Sequence, residues 1–151
     1  MKRSTAREIA MHLSYASVMN PLPVQEQLDQ LFQPEYYATL AEEDEAYAQE
    51  ADPRQREYIR RVALGVEEHG PELDGYIEKY AKNWKFERIT RVCAAILRVA
   101  LYEILYLPEV PYKAAANEAV NLTKLYEDSR TASFVNGILA SFIREEKGEE
   151  T

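Results

Sequence analysis

The stretch that most constrains this chain is Arg88 to Leu107, in which 15 of 20 residues are apolar or aromatic. At about 100° per residue, Arg91 and Arg98 lie about 20° apart on a helix, which leaves only a narrow polar seam. A helix that is apolar almost all round must be surrounded by lipid or by other helices. A membrane span is disfavoured, because Arg91, Arg98 and Glu103 would each cost about 2.5–3.5 kcal/mol in hydrocarbon. The stretch is therefore predicted to be the central helix of a helical protein, ended by Pro108.

Length and composition predict one globular helical domain. A chain of 151 residues is expected to bury about 68–70% of the surface that its unfolded form exposes. It has 46% hydrophobic residues, 29% charged residues and only five glycines, a composition that favours helices. The single cysteine, Cys93, excludes an intrachain disulfide and fits a reducing compartment. The basic N-terminus is not followed by an apolar segment, so no signal peptide is predicted and a cytoplasmic location is expected.

The net charge of −8 argues against a nucleic-acid partner, but the distribution of the charge does not. Residues 26–52 contain nine acids and no lysine or arginine. Without that segment and the tail 145–151, 13 acids remain against 17 basic residues. A local basic patch can then dominate binding, because salt screens charges beyond about 8–10 Å. The acidic segment is also a candidate to mask such a patch.

Apolar residues at helical spacing, separated by turn residues, predict the helices around the central one. The acids and alanines from Gln33 to Asp52 are compatible with a loose helix, but the segment has too few apolar residues to bury and is expected to be an exposed, mobile loop. Gly70-Pro71 either kinks the third helix or ends it near His69. The other predicted helices cover residues 4–18, about 24–32, Asp52 to Trp84 and 112–126, with a last helix that begins at Asp128 or Ser129.

No catalytic site, metal site or cofactor is predicted. A cysteine inside an apolar helix, such as Cys93, is typical of a protein core. Glu8 and His12 are four residues apart on one helix face, but two groups do not make a transition-metal site. The sequence has no glycine-rich phosphate loop and no hydrolase or metalloprotease signature. A protein that is not an enzyme is therefore expected.

Four segments together resemble one family. The segment from Ala95 to Glu103, AILRVALYE, is similar to the AILR-x-ALYE signature of the NusB family of bacterial transcription antitermination factors. The resemblance covers about residues 3 to 143. Three further segments agree in order and spacing: Arg3 to Glu8, Val110 to Lys113 with Asn117 to Val120, and Phe134 to Leu139.

The resemblance implies an all-α fold in which two small helix bundles pack around the central helix. It implies a single domain over residues 1–145, with halves at about 1–82 and 83–145 and a disordered tail at 146–151. It also favours one long third helix, kinked at Gly70-Pro71.

Three cations at the start of the first helix are candidate RNA contacts. Lys2, Arg3 and Arg7 oppose the helix macrodipole there, and phosphate binding is an obvious use for them. An ordinary charged terminus is the alternative. In the NusB family the arginine-rich start of this helix lies on the RNA surface, and Arg3 and Arg7 match its R-x-x-A-R-E pattern. Ser4 stands where many members have a further arginine, which predicts weaker RNA binding.

Phe134, in the first turn of the last helix, is the second candidate. Its ring either belongs to the core or stacks on an unpaired base. In the family, the segment just before and including this phenylalanine borders the RNA. Members often have a lysine at the position of Ser133, and Arg130 is expected to compensate in part.

The resemblance also implies partners. NusB proteins bind boxA-type single-stranded RNA together with NusE, a small-subunit ribosomal protein, in an antitermination complex with RNA polymerase that promotes ribosomal RNA transcription. Tyr15 matches the family tyrosine that lies toward NusE, although a partly buried structural tyrosine fits as well. The oligomeric state stays open, a homodimer included. The alternative function is a NusB-like interaction or dimerisation module with weakened or lost RNA binding, which Ser4, Ser133 and the acidic segment favour.

Overall fold

The computed structural model describes residues 1–82 and 89–149, and every regular element within these ranges is helical. The chain divides into two compact units, Met1–Glu68 and His69–Thr151. The first contains α1 (Arg3–Met19), α2 (Val24–Leu31), α3 (Pro34–Leu40), a 3-10 helix (Glu45–Tyr47) and α4 (Pro53–Glu68). The second contains α5 (Gly70–Tyr80), α6 (Arg91–Tyr106), α7 (Tyr112–Tyr126) and α8 (Ser129–Lys147).

The core of the first unit lies between α1 and α4, and α2 also contacts α4. Ile9 of α1 and Ile59 and Val62 of α4 are completely buried, as their helical spacing predicts. The start of α4 is also as predicted. Asp52 Oδ1 accepts a hydrogen bond from the Gln55 backbone N–H at 3.0 Å, so the aspartate caps the helix.

The acidic segment 33–52 contains two short helices and buries residues of its own, so the prediction of a loop with too few apolar residues to bury is wrong. Its two short helices bury Tyr37 and Tyr47, whose rings meet edge to face at 5.5 Å. Tyr37 Oη donates to the Gln49 carbonyl at 2.8 Å. Tyr47 Oη lies 2.8 Å from His12 Nδ1 of α1, and burial raises the pKa of Tyr47. Leu40 is the one large aliphatic residue of the segment, but two tyrosines provide a large apolar area with hydroxyls that find partners.

Of the two possibilities at Gly70-Pro71, the structure has the second, in which the third helix ends near His69 and a new helix follows. The single long helix that the resemblance favours is wrong. α4 ends at Glu68 and α5 begins at Gly70. Between them, His69 has φ −104° and ψ 15°, which is outside the α-helical range. Pro71 is in the first turn of α5, where a missing N–H leaves no helical hydrogen bond unmade. The predicted end of this helix at Asn83-Trp84 lies outside the described residues.

The second unit is organised around α6, which contacts α5, α7 and α8. Eleven residues of α6 are buried, from Cys93 to Ile104. Arg98 in its polar seam donates from Nε to Asp74 Oδ1 of α5 at 2.6 Å, and from Nη2 to Asp74 Oδ2 at 3.3 Å. The predicted apolar central helix is therefore confirmed over Arg91–Tyr106. This unit includes α5, which the predicted division at about residue 82 assigns to the other half.

α8 continues into the segment 146–151 that was predicted to be a disordered tail. Glu146 accepts hydrogen bonds from Lys79 Nζ at 2.8 Å and from Tyr80 Oη, both of α5. The helix ends at Lys147, and Gly148 follows with φ 68°. Glycine adopts this left-handed conformation without a steric penalty. The structure thus has residues 146 and 147 of the predicted tail in α8.

Candidate nucleic-acid interface

The start of α1 carries exposed positive charge. Lys2 occupies the N-cap position, where its side chain makes no capping hydrogen bond and is exposed. None of the residues in the first turn is acidic. The first N–H groups of a helix carry a partial positive charge that adds to the charge of these cations. This end of α1 is therefore suited to binding an anion such as a phosphate.

Arg3 is held in place by two residues of α4. Its Nε donates to Gln55 Oε1 at 2.8 Å, and its guanidinium carbon is 4.1 Å from the centroid of the Tyr58 ring. A guanidinium stacked on an aromatic face keeps N–H donors at its edge. The charge of Arg3 is therefore pre-positioned and remains partly accessible to solvent.

Arg7, the third predicted cation, is only 6% exposed. Its guanidinium carbon is 5.8 Å from the same Tyr58 ring. A charged side chain this deeply buried contributes through its packing and its field more than through direct contact. The structure thus gathers Arg3 and Arg7 around one tyrosine but exposes them differently.

Sequence reasoning missed two arginines of α4. Arg54 and Arg61 are one turn before and one turn after Tyr58 and share its stripe of the helix, and both are exposed. Arg60 is on the opposite side of α4 and pairs with Glu57 at 3.6 Å. The spacing of the arginines is visible in the sequence. Their relevance to RNA binding depends on the packing of α4 against α1, and no local sequence pattern reveals that packing.

The start of α8 is capped by a carboxylate, as predicted. Asp128 Oδ1 accepts from both the backbone N–H and the hydroxyl of Thr131 at 2.8 Å. These hydrogen bonds, with the backbone one foremost, hold the pKa of Asp128 below its ordinary value. Arg130 and Ser133 are exposed in the first turns of the helix. Two of the predicted contacts are thus on the surface of α8.

Phe134 is half-buried and lines a groove between the starts of α6 and α8. Thr90, Cys93 and Arg130 also line this groove. An open groove with an aromatic wall and a cation at its side is suited to one unstacked base. Burial raises the pKa of the Cys93 thiol to about 12, so this cysteine is neutral and unsuited to nucleophilic chemistry.

Tyr15, the predicted partner contact, is half-buried near the end of α1. Val18 and Met19 follow it at helical spacing and are 59% and 57% exposed. Methionine and aromatic residues are enriched in protein interfaces. Tyr15 therefore borders an exposed apolar surface, which sequence reasoning did not predict because it considered the tyrosine alone.

Comparison with known proteins identifies the family. The model of the NusB family matches residues 4–144. The chain belongs to the NusB family. The transcription antitermination protein NusB of Ruminiclostridium cellulolyticum is 36% identical over 151 residues, which are all of this chain and 94% of the relative. The protein of the same name from Acetivibrio thermocellus is 38% identical over 144 residues, 95% of this chain and 90% of the relative. The predicted non-catalytic antitermination function is confirmed by this membership.

Two solved structures confirm the NusB-like fold. T. maritima NusB matches with a TM-score of 0.77 at 23% identity, over 96% of this chain and 92% of that one. A structure of the antitermination factors NusB and NusE in complex with dsRNA matches with a TM-score of 0.71 at 22% identity, over 94% and 96% of the two chains. Within the part of this NusB-family chain that the structure describes, no helix has the length and apolarity to cross a membrane.

Proposed function

We propose that this NusB-family protein binds boxA-type single-stranded RNA together with NusE, and that the pair acts in a cytoplasmic antitermination complex with RNA polymerase. Its relatives are antitermination proteins, and a protein of the same fold has been crystallised with NusE and dsRNA. The observation that carries the proposal is the fixed guanidinium of Arg3. Gln55 and Tyr58 hold this cation at the uncapped, exposed start of α1.

At the start of α1 we propose that Lys2 and Arg3 neutralise phosphates and release their counterions. Arg7, which lies beside the same Tyr58 ring, adds to the positive field. Phosphate contacts of this kind position a nucleic acid without reading its sequence. The contribution of α1 is therefore salt-dependent and largely insensitive to sequence.

At the start of α8 we propose that the groove beside Phe134 receives an unpaired base. The ring supplies one stacking face, while Arg130 and the Ser133 hydroxyl are available for phosphate or base contacts. Bases in a duplex are already stacked on their neighbours, so a single aromatic wall selects looped or single-stranded RNA. This region supplies the preference for unpaired RNA.

For NusE we propose that Tyr15, with Val18 and Met19, forms part of the contact surface. Together the three side chains offer apolar area and one hydroxyl at the end of α1. Such a mixture is typical of the buried centre of an interface.

Fluorescence anisotropy of labelled boxA RNA, titrated with this protein alone and with its NusE complex, tests the proposal. We expect the complex to bind single-stranded boxA more tightly than a scrambled strand and more tightly than the same sequence in a duplex. Equal affinity for all three RNAs would refute it. Salt-insensitive RNA binding by a stable NusE complex would instead identify the alternative function, an interaction module without an RNA site.

A matched pair of variants tests the role of Arg3. Arg3→Gln removes the guanidinium stacked on Tyr58, whereas Arg60→Gln removes one from the opposite side of α4 with the same change in net charge. We expect Arg3→Gln to lower the slope of log affinity against log salt by about 0.7 for single-stranded RNA, and Arg60→Gln to leave it unchanged. Equal changes would show that only the net charge matters.

A further inference from the structure

Three side chains of the first unit, none of them an α1 cation, converge. Glu8 and His12 are one turn apart on α1, and Asp44 precedes the 3-10 helix of the acidic segment. His12 Nε2 is 3.8 Å from Glu8 Oε2 and 4.0 Å from Asp44 Oδ2. All three residues are half-buried, and one ligand atom from each lies within 4.8 Å of the others. Sequence analysis had found only the first two of these groups.

We infer that Glu8, His12 and Asp44 bind one divalent transition-metal ion of the zinc class. Zinc bonds to imidazole nitrogen and carboxylate oxygen are about 2.0–2.2 Å long, which places neighbouring ligands of a tetrahedral site about 3.4 Å apart. The separations from His12 Nε2 exceed this value by only about half an ångström. The oxygens of Glu8 and Asp44 lie within 4.8 Å of each other, so side-chain rotations that bring the two carboxylates together would close the site around an ion.

Other contacts orient two of the three ligands. His12 Nδ1 lies 2.8 Å from Tyr47 Oη, so the ring presents Nε2 to the carboxylates. When Nε2 binds a metal, Nδ1–H donates to Tyr47 Oη, which is the usual outer partner arrangement of a metal-bound histidine. Asp44 Oδ1 accepts from the Ala46 backbone N–H at 2.9 Å, which fixes the carboxylate and leaves Oδ2 for the ion.

The ligand set also fits the ion in charge and number. Two carboxylates balance the charge of a divalent cation, and one imidazole favours a transition metal over magnesium or calcium. Three protein ligands leave a fourth position for water. A bound ion would join α1 to the acidic segment through Asp44, within the first unit. This role goes beyond RNA and NusE binding and requires neither.

The other histidine provides a matched control. His69 Nδ1 lies 3.7 Å from Glu72 Oε1, so it resembles the His12–Glu8 pair. Within residues 1–82 and 89–149, the Glu8, His12 and Asp44 cluster is the one group of three or more such side chains with ligand atoms close enough to share an ion. A histidine with one carboxylate is expected to bind zinc much more weakly than this cluster.

Isothermal titration of the untagged full chain with zinc chloride tests the inference. We expect one zinc ion per chain, a raised Tm in its presence, and an affinity at least tenfold weaker in both Glu8→Gln and Asp44→Asn. His69→Gln is expected to bind zinc like the unmodified protein. Tyr47→Phe keeps the ring but removes the hydroxyl beside His12, and is expected to weaken binding about tenfold.

Cobalt binding provides a second readout of the metal site that does not depend on the thermal stability of the protein. Visible absorption of the cobalt-loaded protein reports ligand geometry, and we expect a bound-cobalt spectrum that Asp44→Asn changes and His69→Gln does not. The inference is overturned if no zinc binds. It is also overturned if the double variant Glu8→Gln with Asp44→Asn binds zinc as the unmodified protein does, or if His69→Gln abolishes binding.

Discussion

The starts of α1 and α8 are both proposed to contact RNA, yet they are built in opposite ways. α1 has a lysine at its N-cap, no side-chain cap, and Arg3 fixed by contacts with α4. α8 is capped by Asp128, carries one exposed arginine in its first turn, and presents the half-buried ring of Phe134. The first end is a concentration of positive charge. The second is a neutralised helix end beside an aromatic groove.

The difference shows how one protein can separate affinity from selectivity. Cations attract the backbone of any RNA and lose strength as salt rises. An aromatic wall is nearly insensitive to salt and distinguishes unpaired bases from stacked ones. A carboxylate cap at α1 would weaken its field, whereas at α8 the Asp128 cap stabilises the helix where stacking, not charge, is proposed to act.

The largest expected effect is a difference in stability between variants of the two arginines around Tyr58. We expect Arg7→Ala to lower the free energy of unfolding by about 2–3 kcal/mol, because it removes a side chain that is only 6% exposed. Arg3→Ala, at a partly exposed site, is expected to cost less than about 1 kcal/mol. Urea denaturation followed by far-UV circular dichroism measures both values. If the two variants are equally destabilised, Arg3 and Arg7 both act mainly through packing. The start of α1 would then not be a concentration of accessible charge, and it would not differ from the start of α8 in that respect.

Much of the fold could be predicted because it depends on local periodicity. The helical spacing of apolar residues from Arg91 to Tyr106 predicts a buried helix, and Asp128 is a recognisable cap. The buried residues of the acidic segment were not predicted because their burial depends on the contact of Tyr37 with Tyr47 and on that of Tyr47 with His12 of α1. Contacts between residues so distant in sequence have no local signature.

The candidate site was predictable as a set of residue types but not as a geometry. The cations at residues 2, 3 and 7 are visible in the sequence. Their different exposure is not, because it follows from the position of Tyr58 on α4. Asp44 was likewise invisible as a neighbour of His12, since the two residues are brought together only by the folding of the acidic segment.

The second expected effect concerns the ring at the start of α8. Phe134→Ala should weaken binding of single-stranded boxA RNA by about 1–3 kcal/mol, the usual value for one base stacked on an aromatic ring. The salt dependence of the affinity should not change, because no charge is removed. Phe134→Leu is the control, since it keeps apolar volume in the groove but has no aromatic face. Anisotropy titrations that show unmodified affinity for the leucine variant would reassign the ring to packing.

The smallest expected effect concerns the Asp128 cap of α8, whose contribution to stability depends on pH. Because the pKa of Asp128 in the folded protein is below its ordinary value of 3.8, the carboxylate stabilises the fold above that value. This stabilisation is lost as the pH falls through the folded-state pKa. Asp128→Asn retains an oxygen that can cap the helix but does not titrate.

We therefore expect the Tm difference between the unmodified protein and Asp128→Asn to favour the unmodified protein at pH 7, and to shrink below about pH 3.8. Thermal denaturation at a series of pH values measures this difference. A difference for Asp128 that stays constant with pH would show that its charge contributes nothing. The charge of the Asp128 cap would then no longer distinguish the start of α8 from the uncapped start of α1.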